Sequence, residues 1–268
     1  MKITLLTNKD LASCIALNRL VTALTDHELT VFLSAQVGNT RPLPDGLLQL
    51  KFFEQSLFNE LIFPLLPPSP GTVLPDLLSF DGIAKMISKP IRELNAINQL
   101  AESAELKNSE PDLVLCIRYG VILQQAVISV PRFGVLNLHS GKLPDYKGVM
   151  ATFRAMLNGD AEVGTTVHYI DDSGIDTGPI IGTTSMPVDS ARSYLWHVLE
   201  LYKDGCRLLV DAVKAIADSG SVPARPQTRS GSYYGFPTEE ELTIFAEMGY
   251  SLVDPAEIAS IAKKFMAK

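Results

Sequence analysis

The sequence contains little cysteine. Only three of its 268 residues are cysteine, at Cys14, Cys116 and Cys206, and no two of them form a C-x-x-C pair. An odd number of widely spaced thiols supports neither a disulfide framework nor a thiolate metal site. Cys14 and Cys116 stand among apolar residues, so we expect both to be buried, reduced thiols, as in a cytoplasmic protein.

Long apolar runs and an excess of positive charge are also missing. The apolar run at residues 2–7 soon turns polar and is too short for a signal peptide or a membrane span. The formal net charge is −7 and the sequence pI is about 5.2. A chain with this balance has no overall attraction for nucleic acid or for anionic membranes. We therefore expect a cytoplasmic protein that binds neither.

Several common motifs are absent. The turn after the first predicted strand reads TNKDLAS rather than G-x-G-x-x-G, which argues against a dinucleotide site. Neither a G-x-x-x-x-G-K-[ST] P-loop nor a G-x-S-x-G nucleophile elbow occurs. The four histidines lack metal-ligand spacing, so we expect no metal. Of these, His168 is expected to be an ordinary buried strand histidine.

Apolar periodicity predicts an α/β fold. Strand-like runs alternate with helical patterns over the first two-thirds of the chain, which favours an open, mostly parallel, Rossmann-like sheet. Residues 36–48 and 64–75 are rich in proline and glycine and are predicted loops. The predicted strands are 2–7, 28–34, 47–53, 111–118, 134–139, 165–170 and 179–186, and the predicted helices are 11–24, 56–66, 98–107, 151–159 and 193–219.

The C-terminal part has a different composition. Residues 220–268 begin with a segment rich in Pro, Arg and Ser, which is followed by two helical patterns at 238–248 and 255–266. We predict a catalytic domain over residues 1–187. Residues 188–268 would form a long helix and a small appended helical lobe.

Asn137 and His139 stand at the end of a predicted strand. Alternate residues of a strand face one side, so both side chains would point together towards the edge where such sheets bind ligands. An Asn amide donates hydrogen bonds, and a His can hold or move a proton near neutral pH. Together they could stabilise an oxyanion. The alternative is structural, with Asn137 capping a loop and His139 hydrogen-bonded in the core.

The acidic turn DDSGIDTGPI, residues 171–180, is a second candidate. A calcium loop needs Gly at its sixth position and Glu at its twelfth, but counting from Asp171 these positions hold Asp176 and Gly182. The turn is either solvated or packed inward. Apolar neighbours favour a partly buried Asp176, which would need a cationic or donor partner. His139 is the candidate partner.

These residues resemble the motifs of the 10-formyltetrahydrofolate-dependent formyltransferases. That family includes glycinamide ribonucleotide transformylase, methionyl-tRNA formyltransferase and the sugar N-formyltransferases. Its N-[ILV]-H, L-P-x-[YF]-x-G and L-D-x-G motifs stand here as NLH at 137–139, LPDYKG at 143–148 and IDTGPI at 175–180. RYGVILQQAVI at 118–128 resembles the family's folate-binding segment. The resemblance covers about residues 1–187 and implies the formyltransferase fold.

The resemblance implies transfer of a formyl group from N10 of 10-formyltetrahydrofolate to an amine, without a metal. Asn137 and His139 would donate to the oxyanion. Asp176 would keep His139 protonated and help to pass a proton from the amine to N10. The residues implied to bind folate are Arg118, Val121, Leu123, Val135, Asp172 and Gly174, and the candidates for binding the acceptor are Asn8, Lys9 and Lys142.

The acceptor side departs from the family's patterns. Glycinamide ribonucleotide transformylases hold a substrate phosphate with a Gly-Ser-Asn loop, where this chain has Asn8-Lys9-Asp10. The tRNA enzymes carry a basic C-terminal β-barrel, where a shorter helical tail is expected here. We therefore expect a small-molecule amine, such as an amino sugar nucleotide. The alternatives are methionyl-tRNA or glycinamide ribonucleotide as acceptor, a formyltetrahydrofolate hydrolase, and a non-catalytic folate-binding protein. The tail could form a homodimer contact or a lid.

Overall fold

Nine strands form the framework of the part of the chain that the structure describes. The computed structural model describes residues 1–35, 42–66 and 75–266. Its strands are β1 (Lys2–Asn8), β2 (Glu28–Ser34), β3 (Arg92–Glu93), β4 (Leu113–Ile117), β5 (Val135–His139), β6 (Tyr146–Gly148), β7 (Glu162–Ile170), β8 (Ile180–Pro187) and β9 (Ser232–Tyr234).

Seven of these strands form one sheet in the order β3-β2-β1-β4-β5-β7-β8. The strands from β3 to β5 pair in parallel, whereas β7 pairs antiparallel with both β5 and β8. The predicted α/β class with a mostly parallel sheet is confirmed. Because β1, β4 and β5 are parallel, their carboxyl ends meet at one edge of the sheet. Strands β6 and β9 form a separate parallel pair.

Helices surround the sheet. A π-helix, Phe52–Ile62, continues the second α-helix and is followed by a 3₁₀ turn, Phe63–Leu65. The α-helices are α1 (Leu11–Ala23), α2 (Asp45–Lys51), α3 (Phe80–Met86), α4 (Leu100–Asn108), α5 (Gln125–Ile128), α6 (Ala151–Leu157), α7 (Tyr194–Ser219), α8 (Glu239–Glu247) and α9 (Pro255–Lys264).

Two of the predictions before residue 66 are corrected. Residues 47–53, predicted to be a strand, lie in α2 and the start of the π-helix. Leu47 and Leu50 are buried at helical spacing, and a short apolar run does not by itself distinguish a strand from a helix. The predicted loop 36–48 also ends early, because α2 begins within it. Residues 36–41 and 67–74 of the predicted loops lie outside the described residues.

Apolar side chains cover both faces of the sheet. Leu5 of β1 lies in the larger core, and the next residue, Leu6, lies in the smaller core on the other face. Successive side chains of a strand alternate between faces, so a strand buried on both sides reads as a continuous apolar run. Cys14 and Cys116 are buried and free of disulfides, as predicted. Burial raises the pKa of Cys116 to about 12.

The C-terminal helices pack on the larger core. Helix α7 is continuous and lies against α1, β7 and β8. In α8, the ring centroid of Phe245 lies 4.5 Å from that of Phe153 in α6. Helix α7 therefore shares its core with the first 187 residues. The domain boundary after residue 187 stays a prediction.

Candidate active site

The structure brings Asn137, His139 and Asp176 together. Asn137 and His139 are the third and fifth residues of β5, and their side chains project from the same face. Asp176 lies in the turn between β7 and β8. Its Oδ1 is 3.5 Å from Asn137 Nδ2, and its Oδ2 is 3.6 Å from His139 Nδ1. One carboxylate thus faces both residues of the strand end.

Asp176 is held in a specific backbone and side-chain conformation. Its φ of 54° lies in the left-handed region, which is uncommon for a residue with a side chain. The main-chain N–H of Gly148 donates to Oδ2 over 2.8 Å. The Asp176 side chain is only 9% exposed, which agrees with the expected inward-packed turn. The turn therefore presents a mostly buried carboxylate to β5.

The pKa of Asp176 lies well below its usual range. Burial alone would raise this pKa because it penalises the charged carboxylate. The neighbouring imidazoles of His139 and His168, together with the N–H of Gly148, outweigh burial and lower the pKa. Asp176 is therefore a carboxylate at neutral pH.

His139 is fixed from the opposite side by the loop that follows β5. Its Nε2 donates to the main-chain oxygen of Tyr146 over 2.7 Å, because a carbonyl can only accept. Gly141 lets this loop approach the ring. A Cβ added at Gly141 would lie 2.7 Å from His139 Nε2 and 2.4 Å from the Cβ of Ala151. Only a residue without a side chain fits between the imidazole and α6.

If the His139 imidazole carries a second proton, on Nδ1, one hydrogen of each donor is available for a substrate. The distances from Asp176 to Asn137 Nδ2 and His139 Nδ1 are at or beyond the limit of a hydrogen bond. The shorter contacts of these two residues use their other hydrogens. An oxygen atom placed between the two side chains could therefore receive one hydrogen bond from each.

His168 is a member of this cluster that sequence reasoning missed. It lies opposite Asn137 in the β5–β7 register, and its Nε2 is 3.0 Å from Asn137 Nδ2. Its Nδ1 donates to the main-chain oxygen of Tyr169 over 2.8 Å, which leaves Nε2 to accept from Asn137 in the neutral ring. The same Nε2 is 3.4 Å from Asp176 Oδ1. The signal in the sequence is that TTVHYI is the next predicted strand after the one that ends in NLH.

The predicted folate segment runs along the exit of β4. Leu123 and Val135 are buried in the smaller core, and Val121 packs against it. Asn98, which sequence reasoning also missed, holds this segment by two hydrogen bonds. Its Nδ2 donates to the oxygen of Ile122 over 2.8 Å, and its Oδ1 accepts from the nitrogen of Gln124 over 2.9 Å. The main chain around Leu123 is thereby fixed.

Arg118 lies in a buried ionic cluster. Its Nε donates to Asp10 Oδ2 over 3.0 Å and its Nη2 to Glu54 Oε1 over 3.2 Å. Burial raises the pKa of Glu54 to about 7, against the attraction of Arg118 and with the support of Asp10. The guanidinium of Arg118 is therefore already bound by two carboxylates. Its assignment to folate binding stays a prediction.

The remaining predicted residues each have a partner within the chain. Asp172 accepts from the nitrogen of Gly174 over 2.7 Å in the exposed part of the acidic turn. Asn8 is buried and donates to Asp10 over 2.9 Å. Lys9 pairs with Glu93 over 2.9 Å, and Lys142 pairs with Glu162 over 3.0 Å. Their roles in folate or acceptor binding stay predictions.

Residues 1–35, 42–66 and 75–266 contain neither a candidate membrane span nor a candidate metal-binding cluster. No helix in these ranges is both long enough and apolar enough to span a membrane. In the same ranges, no group of three or more His, Cys, Asp or Glu side chains is placed to hold a metal ion.

The chain is similar in sequence to known formyl transferases. Residues 81–197 match the family model described as formyl transferase. A methionyl-tRNA formyltransferase of Ralstonia nicotianae is 34% identical over 156 residues, covering 57% of this chain and 47% of the relative. One of Legionella pneumophila is 29% identical over 218 residues, covering 81% and 68%. The chain spans about half the length of most of the curated relatives it matches.

Solved structures show the same fold. A sugar N-formyltransferase from a Shewanella species superposes with a TM-score of 0.55 at 15% identity, covering 87% of this chain and 76% of the other. Glycinamide ribonucleotide transformylase 1 from Symbiobacterium toebii gives a TM-score of 0.58 at 17% identity, covering 84% and 92%. Residues 81–197 thus match a formyl transferase domain, and these solved structures show that the chain has the formyltransferase fold.

Proposed function

We propose that this protein transfers the formyl group of 10-formyltetrahydrofolate to the amine of a small-molecule acceptor. The observation that supports it is the position of the Asp176 carboxylate, which faces Asn137 Nδ2 and His139 Nδ1 at 3.5 and 3.6 Å. Two donors beside one ionised carboxylate suit a reaction in which negative charge develops on an oxygen while a proton moves between nitrogens.

In the first step the acceptor nitrogen attacks the formyl carbon. A carbon–nitrogen bond forms, and the electron pair of the carbonyl moves to the formyl oxygen. Asn137 and His139 would donate to that oxygen, where the hydrogen bonds are strongest in the tetrahedral intermediate. Losing one such donor typically costs about 3–4 kcal/mol of transition-state stabilisation.

In the second step the bond between the formyl carbon and N10 breaks. An electron pair on the oxyanion restores the carbonyl double bond. The electron pair of the broken bond goes to N10, which takes up the proton that the acceptor nitrogen loses. The acceptor nitrogen, which has attacked the formyl carbon, is an ammonium at this stage and is a strong acid. Even Asp176, a weak base because of its lowered pKa, can therefore relay this proton to N10, directly or through water. The products are the formamide and tetrahydrofolate.

The folate donor fits the predicted segment. Asn98 fixes the main chain on both sides of Leu123, so its peptide groups could recognise the edge of a pterin ring. Val121 offers an apolar contact beside it. Two structural relatives were solved in the presence of 5-N-formyl-tetrahydrofolate or folinic acid. On this proposal 10-formyltetrahydrofolate is a cosubstrate rather than a permanently bound group.

A small amine is the first candidate acceptor because the chain is acidic, with a net charge of −7. Methionyl-tRNA is the second candidate, since that substrate is named in the curated relatives. The test is to incubate the purified protein with 10-formyltetrahydrofolate and one acceptor at a time, and to measure tetrahydrofolate release and the formylated product by mass spectrometry. The acceptors should include amino sugar nucleotides, glycinamide ribonucleotide and methionyl-tRNA.

Each result has a defined meaning. Formylation of a small amine supports the proposal, and formylation of methionyl-tRNA alone replaces the acceptor. Release at the full rate without any amine identifies a hydrolase. Folate binding without turnover over the whole panel identifies a non-catalytic folate-binding protein.

A further inference from the structure

We propose that Gln227 is a positioning residue, which holds the turn of Asp176 in the conformation that the reaction needs. This inference rests on the proposed function, since that function gives the turn its role. The Nε2 of Gln227 donates to the main-chain oxygen of Asp176 over 2.9 Å and to that of Gly178 over 2.8 Å. One side-chain amide thus bonds to both sides of the turn.

The turn needs such support. Asp176 has a φ of 54°, a left-handed conformation that is strained for a residue with a side chain. A strained conformation persists only where its surroundings fix it. The contact with Gly148 fixes the carboxylate, whereas the bonds from Gln227 fix the main chain that carries it.

The orientation of the Gln227 amide is determined by its neighbours. Both neighbours are carbonyl oxygens, so the nitrogen and not the oxygen must face them. The other end of the amide, Oε1, is buried and has no hydrogen-bond partner among the described residues. A buried acceptor without a partner is unfavourable, so the two bonds to the turn are kept although Oε1 is left unsatisfied.

Gln227 lies on a segment that is attached on both sides. We call residues 221–235 the strap. Before Gln227, Arg225 and Ile180 exchange two main-chain hydrogen bonds of 2.8 Å. After it, Gly231 packs so closely on Pro144 that an added Cβ would lie 1.4 Å from its main-chain oxygen. The strap then enters β9, which pairs with β6.

The strap therefore connects the two loops that make the site. Strand β6 contains Tyr146, whose oxygen accepts from His139, and Gly148, whose nitrogen donates to Asp176. Gln227 bonds to the other loop, at Asp176 itself. Because the strap is attached to both loops, a change at Gln227 should alter the placement of Asp176 without touching the substrates.

The test compares two substitutions at Gln227. Gln227→Ala removes both bonds, and we expect kcat and kcat/KM to fall together by about tenfold, with KM for the amine unchanged. Gln227→Glu keeps the shape but can donate only when protonated. Its activity relative to the wild type should therefore decline as the pH rises through the pKa of the new carboxyl, over a range of about pH 5 to 8. Arg229→Ala is the control, because it breaks only an exposed pair with Asp145 and should change kcat by no more than about twofold.

A second measurement does not depend on turnover. In the wild type, NMR titration of carboxyl-labelled protein should show a low pKa for Asp176, and Gln227→Ala should raise it towards the ordinary value. Wild-type kcat in Gln227→Ala, or equal and pH-independent losses in both variants with an unchanged Asp176 pKa, would overturn the positioning role. If no amine is formylated by the wild type, the proposed function fails while the titration still decides whether Gln227 positions Asp176.

Discussion

The Oδ2 of Asp176 lies 2.8 Å from the main-chain nitrogen of Gly148, so one carboxylate joins the turn after β7 to the loop after β5. The same oxygen faces His139 Nδ1 at 3.6 Å. The carboxylate therefore has a structural role, between two loops, and an electrostatic one, beside an imidazole. Substitutions at the site must separate these roles.

Asp176→Asn removes the charge and keeps the shape. We expect kcat to fall at least about 100-fold, because the amide can neither hold a positive charge on His139 nor relay the proton. Tetrahydrofolate release in single-turnover assays measures this. Asp218→Asn, at an exposed site near the end of α7, is the control for loss of one negative charge. Full activity in Asp176→Asn would rule out the proposed mechanism.

His168→Leu tests whether the histidine that accepts from Asn137 contributes to the reaction. The variant leaves Asn137 Nδ2 without its 3.0 Å partner, and the amide is then free to turn away from the substrate. We expect kcat to fall about tenfold, the effect of roughly one lost hydrogen bond. His168→Gln, which can still accept, should lose less.

The control for this substitution is His197→Leu. His197 is equally buried, but it bonds to Ser193 and Asp189, away from the catalytic cluster. That variant should lose thermal stability and keep kcat. Equal losses of kcat in both leucine variants would show that His168 acts through stability alone.

The sequence predicts the parts of the site that lie on regular strands. Asn137 and His139 could be placed because a strand has a period of two, and Asp176 could be paired with them through the family's motifs. The contact of His168 with Asn137 could not be predicted, because it depends on the pairing of β7 with β5 in the sheet. Gln227 could not be found, since it reaches Asp176 from an irregular segment 51 residues away in sequence.

The error in the fold has a similar cause. LLQLKFF, residues 47–53, has apolar residues at both strand and helix spacings, so its sequence alone does not distinguish a strand from a helix. Packing decides the outcome. The π-helix that follows α2 buries Phe58 against Phe265 of the C-terminal segment, with ring centroids 5.8 Å apart. Because that contact joins residues that are far apart in the chain, no local pattern in the sequence predicts it.

Glu54 should make the stability of the protein depend on pH. Its pKa is raised from 4.5 to about 7 in the folded state, so between these values the folded protein keeps a proton that the unfolded chain has released. Stability therefore decreases as the pH rises through this range. Glu54→Gln has no such proton, so its free energy of unfolding, relative to the wild type, should increase from pH 4.5 to about 7. Urea unfolding at several pH values measures this.

Glu60→Gln is the matched control, because Glu60 is exposed on the same π-helix. Its free energy of unfolding should follow the wild type at every pH. A difference between Glu54→Gln and the wild type that stays constant over the range would contradict a raised pKa for Glu54.

Gly141→Ala should affect both stability and catalysis. The new Cβ would lie 2.4 Å from the Cβ of Ala151 and 2.7 Å from His139 Nε2, so both neighbours must move. Overpacking of this kind costs about 1–3 kcal/mol. Displacing the ring would break its bond to Tyr146, and we expect kcat to fall at least about tenfold. Gly235→Ala, where an added Cβ meets nothing within 4 Å, is the control.

A double substitution separates the two effects. Ala151→Gly removes one of the clashing atoms, so Gly141→Ala should cost less stability in the Ala151→Gly protein than in the wild type, as measured by urea unfolding. The second clash, with His139 Nε2, is still present in the double variant. The kcat of the double variant should therefore stay low, although the substitution at Gly141 costs it less stability. If kcat returned together with stability, the close approach of Gly141 would matter for packing on α6 and not for the orientation of the imidazole.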